Sequence, residues 1–265
     1  MKVNLTGVSE TLLIPLWARA NETTYSNSII KDSKAVEIIN KMDYDFSKFK
    51  NSWLTQTGVA VRTKIFDDQV RKFVKKYSNA VVINIGCGLD TRFERVDNGR
   101  ITWYDLDLPQ AIEVRKKFFK ENDRYKMISQ SVFDNSWTQC IEQANKKVLV
   151  IAEGILMYFS KEEVVHILDI LQKAFDECEC LFEVTSPFIA NNSRKHETVK
   201  KTNAVFKWGI KDGTEIETYN IFVKLIEEWN FFDFNKDRWR FMRLLSKIAF
   251  IKNNCNNRII HLRIT

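Results

Sequence analysis

Two glycines and an acidic residue have the types and the spacing of a nucleotide-binding half-site. Gly86 and Gly88 follow the apolar run Ala80–Ile85, and Asp107 comes 21 residues after Gly86. A run rich in β-branched residues that stops at glycines is typical of a buried strand and a tight turn, in which glycine lets backbone approach a ligand. In doubly wound folds, a carboxylate at this distance binds ribose hydroxyls. The spacing therefore predicts that Asp107 binds a ribose, and Asp105, on the same face of the strand, is the alternative.

The third glycine of the dinucleotide pattern G-x-G-x-x-G is absent, because Thr91 occupies its position. That glycine allows a helix to pack closely beneath a pyrophosphate. The substitution favours a ligand that has a ribose and no phosphate, which describes S-adenosylmethionine and excludes NAD. A G-x-G match alone also occurs in ordinary turns, so the acidic residue at the expected distance carries more weight.

Such a half-site must be positioned by a parallel sheet, and the chain from Val81 onward predicts one. Strands are predicted at 83–85, 102–105, 125–129, 147–152 and 180–185, with a helix over 111–120. Ser160 and Glu163 form a capping box that opens a helix running to about Asp176. Strands that alternate with helices predict an α/β fold with both faces of the sheet covered. Farther on, the sequence predicts helices at 219–229 and 238–250 and strands at 231–234 and 258–264.

The first 78 residues are predicted to be mostly helical. A helix should begin near Ser33, capped by Asp32 or by Ser33 itself, and Thr57–Tyr77 carries an apolar stripe typical of a long helix. With no Gly/Pro linker before the first strand, this region should pack on the core as a lid. We therefore expect a single domain over 1–265, with a lid (1–78), a cofactor-binding core (79–185), a substrate-side insertion (186–215) and a C-terminal part of the sheet (216–265).

The composition restricts the class of protein. A chain of 265 residues, 45% of them hydrophobic, can bury one sizeable core. The sequence has no apolar run of the ~18 residues that a membrane span needs, and its five cysteines show no disulfide or zinc spacing. These features predict a cytoplasmic protein with reduced thiols, no metal and no membrane partner.

The net charge of +7 is concentrated near the C-terminus. From Lys236 onward there are eight Lys and Arg residues and one acid, Asp237. A solvated helix followed by a basic edge strand is the favoured interpretation. A nucleic-acid site stays open as the alternative.

Five motifs resemble the leucine carboxyl methyltransferase-like family, in particular its bacterial branch named after the tetracenomycin polyketide O-methyltransferase. The similarity extends from about residue 5 to about residue 210. The motifs are Gly7–Leu16, Ala60–Asp68, Gly86–Phe93, Trp103–Pro109 and Ala152–Tyr158.

The resemblance implies a class I methyltransferase fold, Rossmann-like, with a seven-stranded sheet whose last strand is antiparallel. It implies a helical N-terminal lid, an insertion after strand 5, and S-adenosylmethionine as cofactor. By the same resemblance, Glu153 contacts the amino group of the cofactor, and Arg62, helped by Lys31, contacts its carboxylate. The adenine would lie against Val132 and Phe133.

The acceptor side of the site is less defined by sequence. The resemblance gives Tyr158 a role in orienting the acceptor, and Arg62 has the planar fork that suits a carboxylate. The aromatic residues Phe188, Phe206 and Trp208 of the insertion are candidates for the pocket wall.

The chemistry expected is esterification of a small-molecule carboxylate. A carboxylate is already ionised at neutral pH, so it needs no general base, and the sequence offers no convincing Ser/His/Asp or Cys/His arrangement. Two alternatives remain: an acceptor on a protein C-terminus or a modified tRNA, and a non-catalytic ligand-binding protein of the same fold. Arg92 and Arg95, which follow the glycine turn, have no role assigned from sequence.

Overall fold

In the computed structural model, the described residues, 11–192 and 205–265, form an α/β domain around one seven-stranded sheet. The strand order is β3-β2-β1-β4-β5-β7-β6; the pairs among the first five strands are parallel, and β7 is antiparallel to both β5 and β6. The strands are β1 (Val81–Ile85), β2 (Thr102–Asp107), β3 (Tyr125–Ser129), β4 (Val148–Ala152), β5 (Cys178–Val184), β6 (Val223–Asn230) and β7 (Arg258–Ile264).

Helices cover both faces of this sheet. The α-helices of the described residues are α1 (Leu13–Thr23), α2 (Ser33–Lys41), α3 (Trp53–Lys76), α4 (Arg92–Val96), α5 (Pro109–Arg115), α6 (Lys161–Ala174), α7 (Pro187–Asn191), α8 (Met242–Leu245) and α9 (Ala249–Asn254). Short 3₁₀ helices lie at Phe46–Phe49, Asn135–Cys140, Leu156–Tyr158, Gly213–Thr218, Phe231–Asp233 and Lys236–Trp239.

The sheet has a buried cluster on each face. One joins Val82 and Leu149 of the sheet to Ile38 and Ile65 of the N-terminal helices. The other packs Ile83 and its neighbours against α6. Each fully buried aliphatic side chain contributes roughly 1.5–3 kcal/mol, so this packing holds α1 to α3 firmly against the sheet.

The strand order determines where a ligand binds. β1 has β2 on one side and β4 on the other, with Ile85 in register with both Leu106 and Ala152. The chain crosses to opposite sides of β1, so the loops after β1 and β4 diverge and leave a crevice at the carboxyl ends of the strands. The glycine turn, Asp107 and Glu153 all lie at this edge.

Several local predictions are confirmed. The first five strands form within a few residues of their predicted bounds. Asp32 caps α2 by accepting a hydrogen bond from the amide of Ala35, and the capping box of Ser160 and Glu163 opens α6. Helix α5 ends at Arg115, earlier than predicted.

The prediction of a helix at 219–229 is wrong, because this stretch contains the edge strand β6. A bulge shifts its register between Leu225 and Glu227. The bulge interrupts the alternation of apolar and polar residues on which a strand prediction depends.

Two other C-terminal predictions are also wrong. The strand predicted at 231–234 is replaced by a 3₁₀ turn over Phe231–Asp233, which Asn230 caps. The extended backbone of Ile248 breaks the helix predicted at 238–250 into α8 and α9. Neither of these helices has a buried residue. Strand β7 forms as predicted but lies between β5 and β6, so it is not an edge strand.

Some predictions fall partly outside the described residues. These are the start of the motif Gly7–Leu16 and the middle of the insertion at 186–215. In the part of the chain that the structure describes, no helix is long and apolar enough to cross a bilayer.

Candidate active site

A cavity of about 720 Å³ opens at the carboxyl ends of β1, β4 and β5, against helices α1 and α3. Its wall includes five of the residues that the sequence predicts for cofactor binding or catalysis. They are Arg62, Gly86, Gly88, Glu153 and Tyr158.

The loop after β1 requires glycine at both positions. Gly86 and Gly88 have φ of +65° and +45°, in the left-handed region that other residues avoid. A Cβ on Gly86 would clash with Cδ1 of Ile155. The amide of Gly88 donates to Oδ2 of Asp107 at 2.8 Å, so the turn and the carboxylate form one unit.

The structure distinguishes the two candidate carboxylates at the end of β2. Asp105 is fully buried and accepts hydrogen bonds from Trp103, Tyr125 and Asn84, and it pairs with Arg115. These contacts engage both oxygens of the Asp105 carboxylate inside the core, away from a ribose. Asp107 is only partly buried, at the rim of the glycine turn, and burial raises the pKa of its carboxyl above the ordinary value despite two backbone hydrogen bonds.

The pairing of β4 with β5 places a second carboxylate beside Glu153. Ala152 is in register with Phe182, so the next residues, Glu153 and Glu183, lie side by side. Arg62 of α3 reaches both: its Nε lies 2.8 Å from Oε1 of Glu153, and its Nη1 donates to Oε2 of Glu183 at 2.9 Å. Nε is buried and its contact with Glu153 is an ion pair without hydrogen-bond geometry, so both carboxylates are held by the one guanidinium.

These three groups influence one another's protonation. Burial alone would raise the pKa of Glu153, but Arg62 and Arg92 outweigh it, and the pKa lies below the ordinary value. Burial raises the pKa of Glu183, which has Arg62 as its main counter-charge. Burial opposes the charge on Arg62, yet the two carboxylates raise its pKa.

The structure also explains Arg92 and Arg95. They belong to a series of buried and half-buried residues of alternating charge, which we call the charge chain. It runs from α1 to β5, with neighbours 2.5–2.9 Å apart. Asp90 pairs with Arg92 beside it. The members in order are Arg19, Asp32, Arg95, Asp67, Arg92, Glu153, Arg62 and Glu183.

The charge chain has a small negative excess around the cavity. With Asp90 included, it has five carboxylates and four guanidinium groups. Thr91, in the position of the missing third glycine, donates from its hydroxyl to Asp32 of this network. The residue that replaces the third glycine therefore makes a polar contact with the N-terminal lid.

Tyr158 lies on the cavity wall, next to apolar residues. Its ring meets that of Phe206 edge-on, with centroids 5.3 Å apart. Burial raises the pKa of Tyr158 to about 12, so its hydroxyl is a hydrogen-bond donor at neutral pH. Phe188, Phe206, Phe231 and Trp239 also line the cavity, whereas Trp208 belongs to the cluster packed around α6.

Lys31 lies away from this cavity. Its Nζ donates to the carbonyl oxygens of Thr23 and Tyr25, and it is not one of the described cavity-lining residues. In this conformation it braces the end of α1.

Val132 and Phe133 follow β3, outside the cavity wall described above. Val132 is buried and its carbonyl accepts a hydrogen bond from Trp137, while Phe133 packs edge-on against Phe159. Because Ser129 is in register with Asp107, this loop begins beside the carboxyl end of β2. Their contact with adenine stays a prediction.

Sequence reasoning missed Glu183, Asp90 and Asn257, all of which line the cavity. Glu183 is held from its other side by Asn257, whose Nδ2 donates to Oε1 at 2.8 Å. A glutamate inside an apolar strand was an available signal, since a buried charge is costly unless it is paired. Asn257 offered no such signal.

The residues at the cavity suit S-adenosylmethionine. Gly86 and Gly88 line the cavity, and Asp107, which is hydrogen-bonded to this turn, lies beside it and outside the lining. Glu153 and Arg62 line the cavity and match in charge the amino group and the carboxylate of a methionine. The strand order with its antiparallel seventh strand and this site define the class of protein: S-adenosylmethionine-dependent methyltransferases.

Comparison with known proteins identifies the family. The model of the family described as leucine carboxyl methyltransferase matches residues 13–172. The chain belongs to this family.

Two relatives agree with this, and one solved structure shares the fold. The tetracenomycin polyketide synthesis O-methyltransferase TcmP of Streptomyces glaucescens is 30% identical, over 87% of this chain and 86% of its own. The S-adenosyl-L-methionine-dependent methyltransferase dpfgK of Gibberella zeae is 27% identical, over 82% and 80%. The magnesium protoporphyrin IX methyltransferase of Synechocystis PCC 6803, solved with bound SAH, shares the fold with a TM-score of 0.50 at 10% identity, over 88% of this chain and 94% of its own.

Proposed function

We propose that the protein transfers the methyl group of S-adenosylmethionine to a carboxylate of an apolar small molecule and forms a methyl ester. The observation that carries the proposal is that one cavity combines Arg62, the glycine turn and Glu153 with an aromatic wall and Tyr158. The polyketide-pathway relative supports a small-molecule acceptor and transfer to oxygen.

The cofactor supplies an electrophilic methyl group on a sulfonium. An acceptor oxygen donates a lone pair to that carbon as the sulfur–carbon bond breaks, with the bonding electrons going to sulfur. The tasks of the protein are to hold the two partners in line and to exclude water. Phe206 and Trp239, both buried, contribute an apolar wall.

Two donors are placed to orient an acceptor carboxylate. Tyr158 has a protonated hydroxyl, and the guanidinium of Arg62 lines the same cavity. Because the charge chain has one excess negative charge and S-adenosylmethionine carries a net positive one, the cofactor should bind first and neutralise the site. The acceptor carboxylate would then meet no net repulsion.

One observation favours a second candidate, methylation of a phenolic hydroxyl. Glu183 lines the cavity, is 1% exposed, and has a raised pKa. A buried carboxylate of this kind is suited to remove a proton from a hydroxyl. A carboxylate acceptor would have no use for such a base.

The test uses labelled cofactor with matched pairs of aromatic acids and phenols. We expect labelled product from the acids, and mild alkali should release its label as methanol. Alkali-stable label formed from the phenols would contradict the ester proposal and support the second candidate.

The pH dependence of the rate provides an independent test. An acceptor carboxylate is already ionised above pH ~5, so kcat/KM should be flat between about pH 6 and 9. Glu183→Gln should leave that profile flat. A rate limb present in the wild type and lost in Glu183→Gln would assign a base and contradict our proposal.

A further inference from the structure

The segment between Arg240 and Phe250 exposes an unusual number of large apolar side chains. Helix α8 lies within this segment and helix α9 begins at its end, and neither helix has a buried residue. The exposed side chains are Phe241 (60%), Leu244 (66%), Leu245 (37%), Ile248 (53%) and Phe250 (60%). Clustered exposure of this kind marks an interaction surface, whereas single exposed apolar residues need no explanation.

Cations are interleaved with these apolar residues. Arg240, Arg243 and Lys247 lie within the segment, and from residue 238 to 265 the sequence contains no acid. A second copy of the chain would place like charges against one another, which disfavours self-association through this surface. The charge pattern calls for an anionic occupant.

The exposed surface is continuous with the wall of the cavity. Phe241 lines the cavity and is also exposed to solvent. Phe188, another exposed lining residue, meets Phe250 edge-on with ring centroids 6.1 Å apart. An apolar path therefore leads from this surface into the cavity.

The backbone is held in a strained conformation where the segment begins. Arg240 has φ of +50° and ψ of −130°, a region that non-glycine residues rarely adopt. Trp239 before it is buried, and the guanidinium of Arg240 lies 4.7 Å from the ring centroid of Trp53. These contacts fix the strained turn and direct the segment outward.

Although the sequence predicts no membrane partner, we propose that this basic, apolar segment docks on an anionic lipid bilayer, with the cavity mouth facing the membrane. Phenyl and alkyl side chains that carry no hydrogen-bonding groups insert between acyl chains, while arginine and lysine contact anionic headgroups. The association is peripheral and reversible. It gives an apolar acceptor dissolved in the bilayer a direct route to the cavity, but it does not depend on which acceptor is methylated.

The test is flotation of the full chain with vesicles. The vesicles contain equimolar phosphatidylcholine and phosphatidylglycerol, or phosphatidylcholine alone. We expect binding to the anionic vesicles at about 0.1 M salt, and at least about tenfold weaker binding to neutral vesicles or at about 0.5 M salt.

Two variants localise the contact without altering the cavity wall. Leu244→Ser/Ile248→Ser and Arg243→Glu/Lys247→Glu change exposed residues that do not line the cavity. Each should lower binding to anionic vesicles at least about tenfold.

Ile221→Ser is the matched control and should bind normally. Ile221 is 81% exposed and lies just before β6. The first residue of β6 is in register with Ile264, which pairs with the first residue of β5. Ile221 therefore lies near the amino end of β5, and the cavity opens at the carboxyl end of that strand. Thermal unfolding confirms that the variants fold. Failure of the wild type to bind anionic vesicles, or normal binding by both double variants, would overturn the proposal; a protein partner would then have to be sought for the surface.

Discussion

Arg92 and Glu153, 61 residues apart in sequence, are joined across the cavity edge: Nη2 of Arg92 donates to Oε2 of Glu153 at 2.5 Å. The arginine side chain is completely buried and also pairs with Asp67 and Asp90. The carboxylate expected to bind the cofactor's amino group is thus oriented by a residue of the helix that follows the glycine turn.

Replacement of Arg92 should therefore destabilise the protein severely. Arg92→Met leaves three carboxylates without their shared partner, and breaking a buried pair costs about 3–5 kcal/mol. Denaturant unfolding measures the loss. Arg124→Met is the control, because Arg124 pairs with Asp97 in a partly exposed contact and should cost no more than about 1 kcal/mol. Similar losses in the two variants would contradict the importance of the charge chain.

The two aspartates of β2 should respond in different ways to substitution. Asp107→Ala should weaken S-adenosylmethionine binding about ten- to a hundredfold, since a hydrogen bond to a charged group contributes roughly 1.5–3 kcal/mol. Asp105→Ala should lower the melting temperature instead, because it leaves Arg115 buried without its carboxylate. Calorimetric titration and thermal unfolding separate the two effects. Normal cofactor binding by Asp107→Ala would refute the ribose assignment.

The stabilising effect of Asp90 should depend on pH in a defined direction. Burial would raise the pKa of Asp90, but Arg92 and Arg95 hold it well below its ordinary value of 3.8. The unfolded state therefore binds the proton more readily, so this contribution is present above about pH 4 and is lost as the pH falls.

The corresponding measurement compares the wild type with Asp90→Asn. The difference in their free energies of unfolding should be constant above pH 5 and should shrink steadily as the pH decreases below about 4. A difference that grows in acid would show that the pKa of Asp90 is not depressed.

Substitution of two glycines by alanine should have opposite effects. Gly86→Ala places a Cβ against Ile155 at a positive φ, so it should destabilise the protein by at least 1–2 kcal/mol and weaken cofactor binding. Gly58 lies inside α3 with open space around its Cβ position, so Gly58→Ala should stabilise by about 0.5–1 kcal/mol. Thermal unfolding tests both. A stabilising Gly86→Ala would show that the turn tolerates a side chain.

Tyr158→Phe should separate acceptor chemistry from cofactor binding. The hydroxyl lies on the cavity wall and is protonated at neutral pH, so its loss should lower kcat with the acceptor about tenfold, while S-adenosylmethionine affinity changes little. Met157→Leu, a volume-conserving change at the neighbouring cavity residue, should alter both quantities less. A large loss of cofactor affinity in Tyr158→Phe would assign the residue to the cofactor.

The sequence by itself determined the half-site and the framework that carries it. The turn at the end of a strand identifies Gly86 and Gly88, and the spacing from Gly86 identifies Asp107. The strands of the core and the capping box at Ser160 are likewise local, because hydrophobic periodicity and backbone hydrogen bonding act over a few residues. The family motifs added Arg62 and Glu153, which the fold brings to one cavity.

Only the tertiary structure decided how the charged groups are partnered. Whether an arginine or a carboxylate is free for a ligand depends on residues far apart in sequence: Arg62 meets Glu183 across 121 positions, and this contact forms only because β4 and β5 pair in one register. The same holds for Asp105, whose partners lie on three strands and a helix. At the C-terminus, the bulge in β6 and the strained turn at Arg240 overrode the local pattern. Such features depend on the contacts that the rest of the chain makes with each segment. The segment's own residues do not encode those contacts.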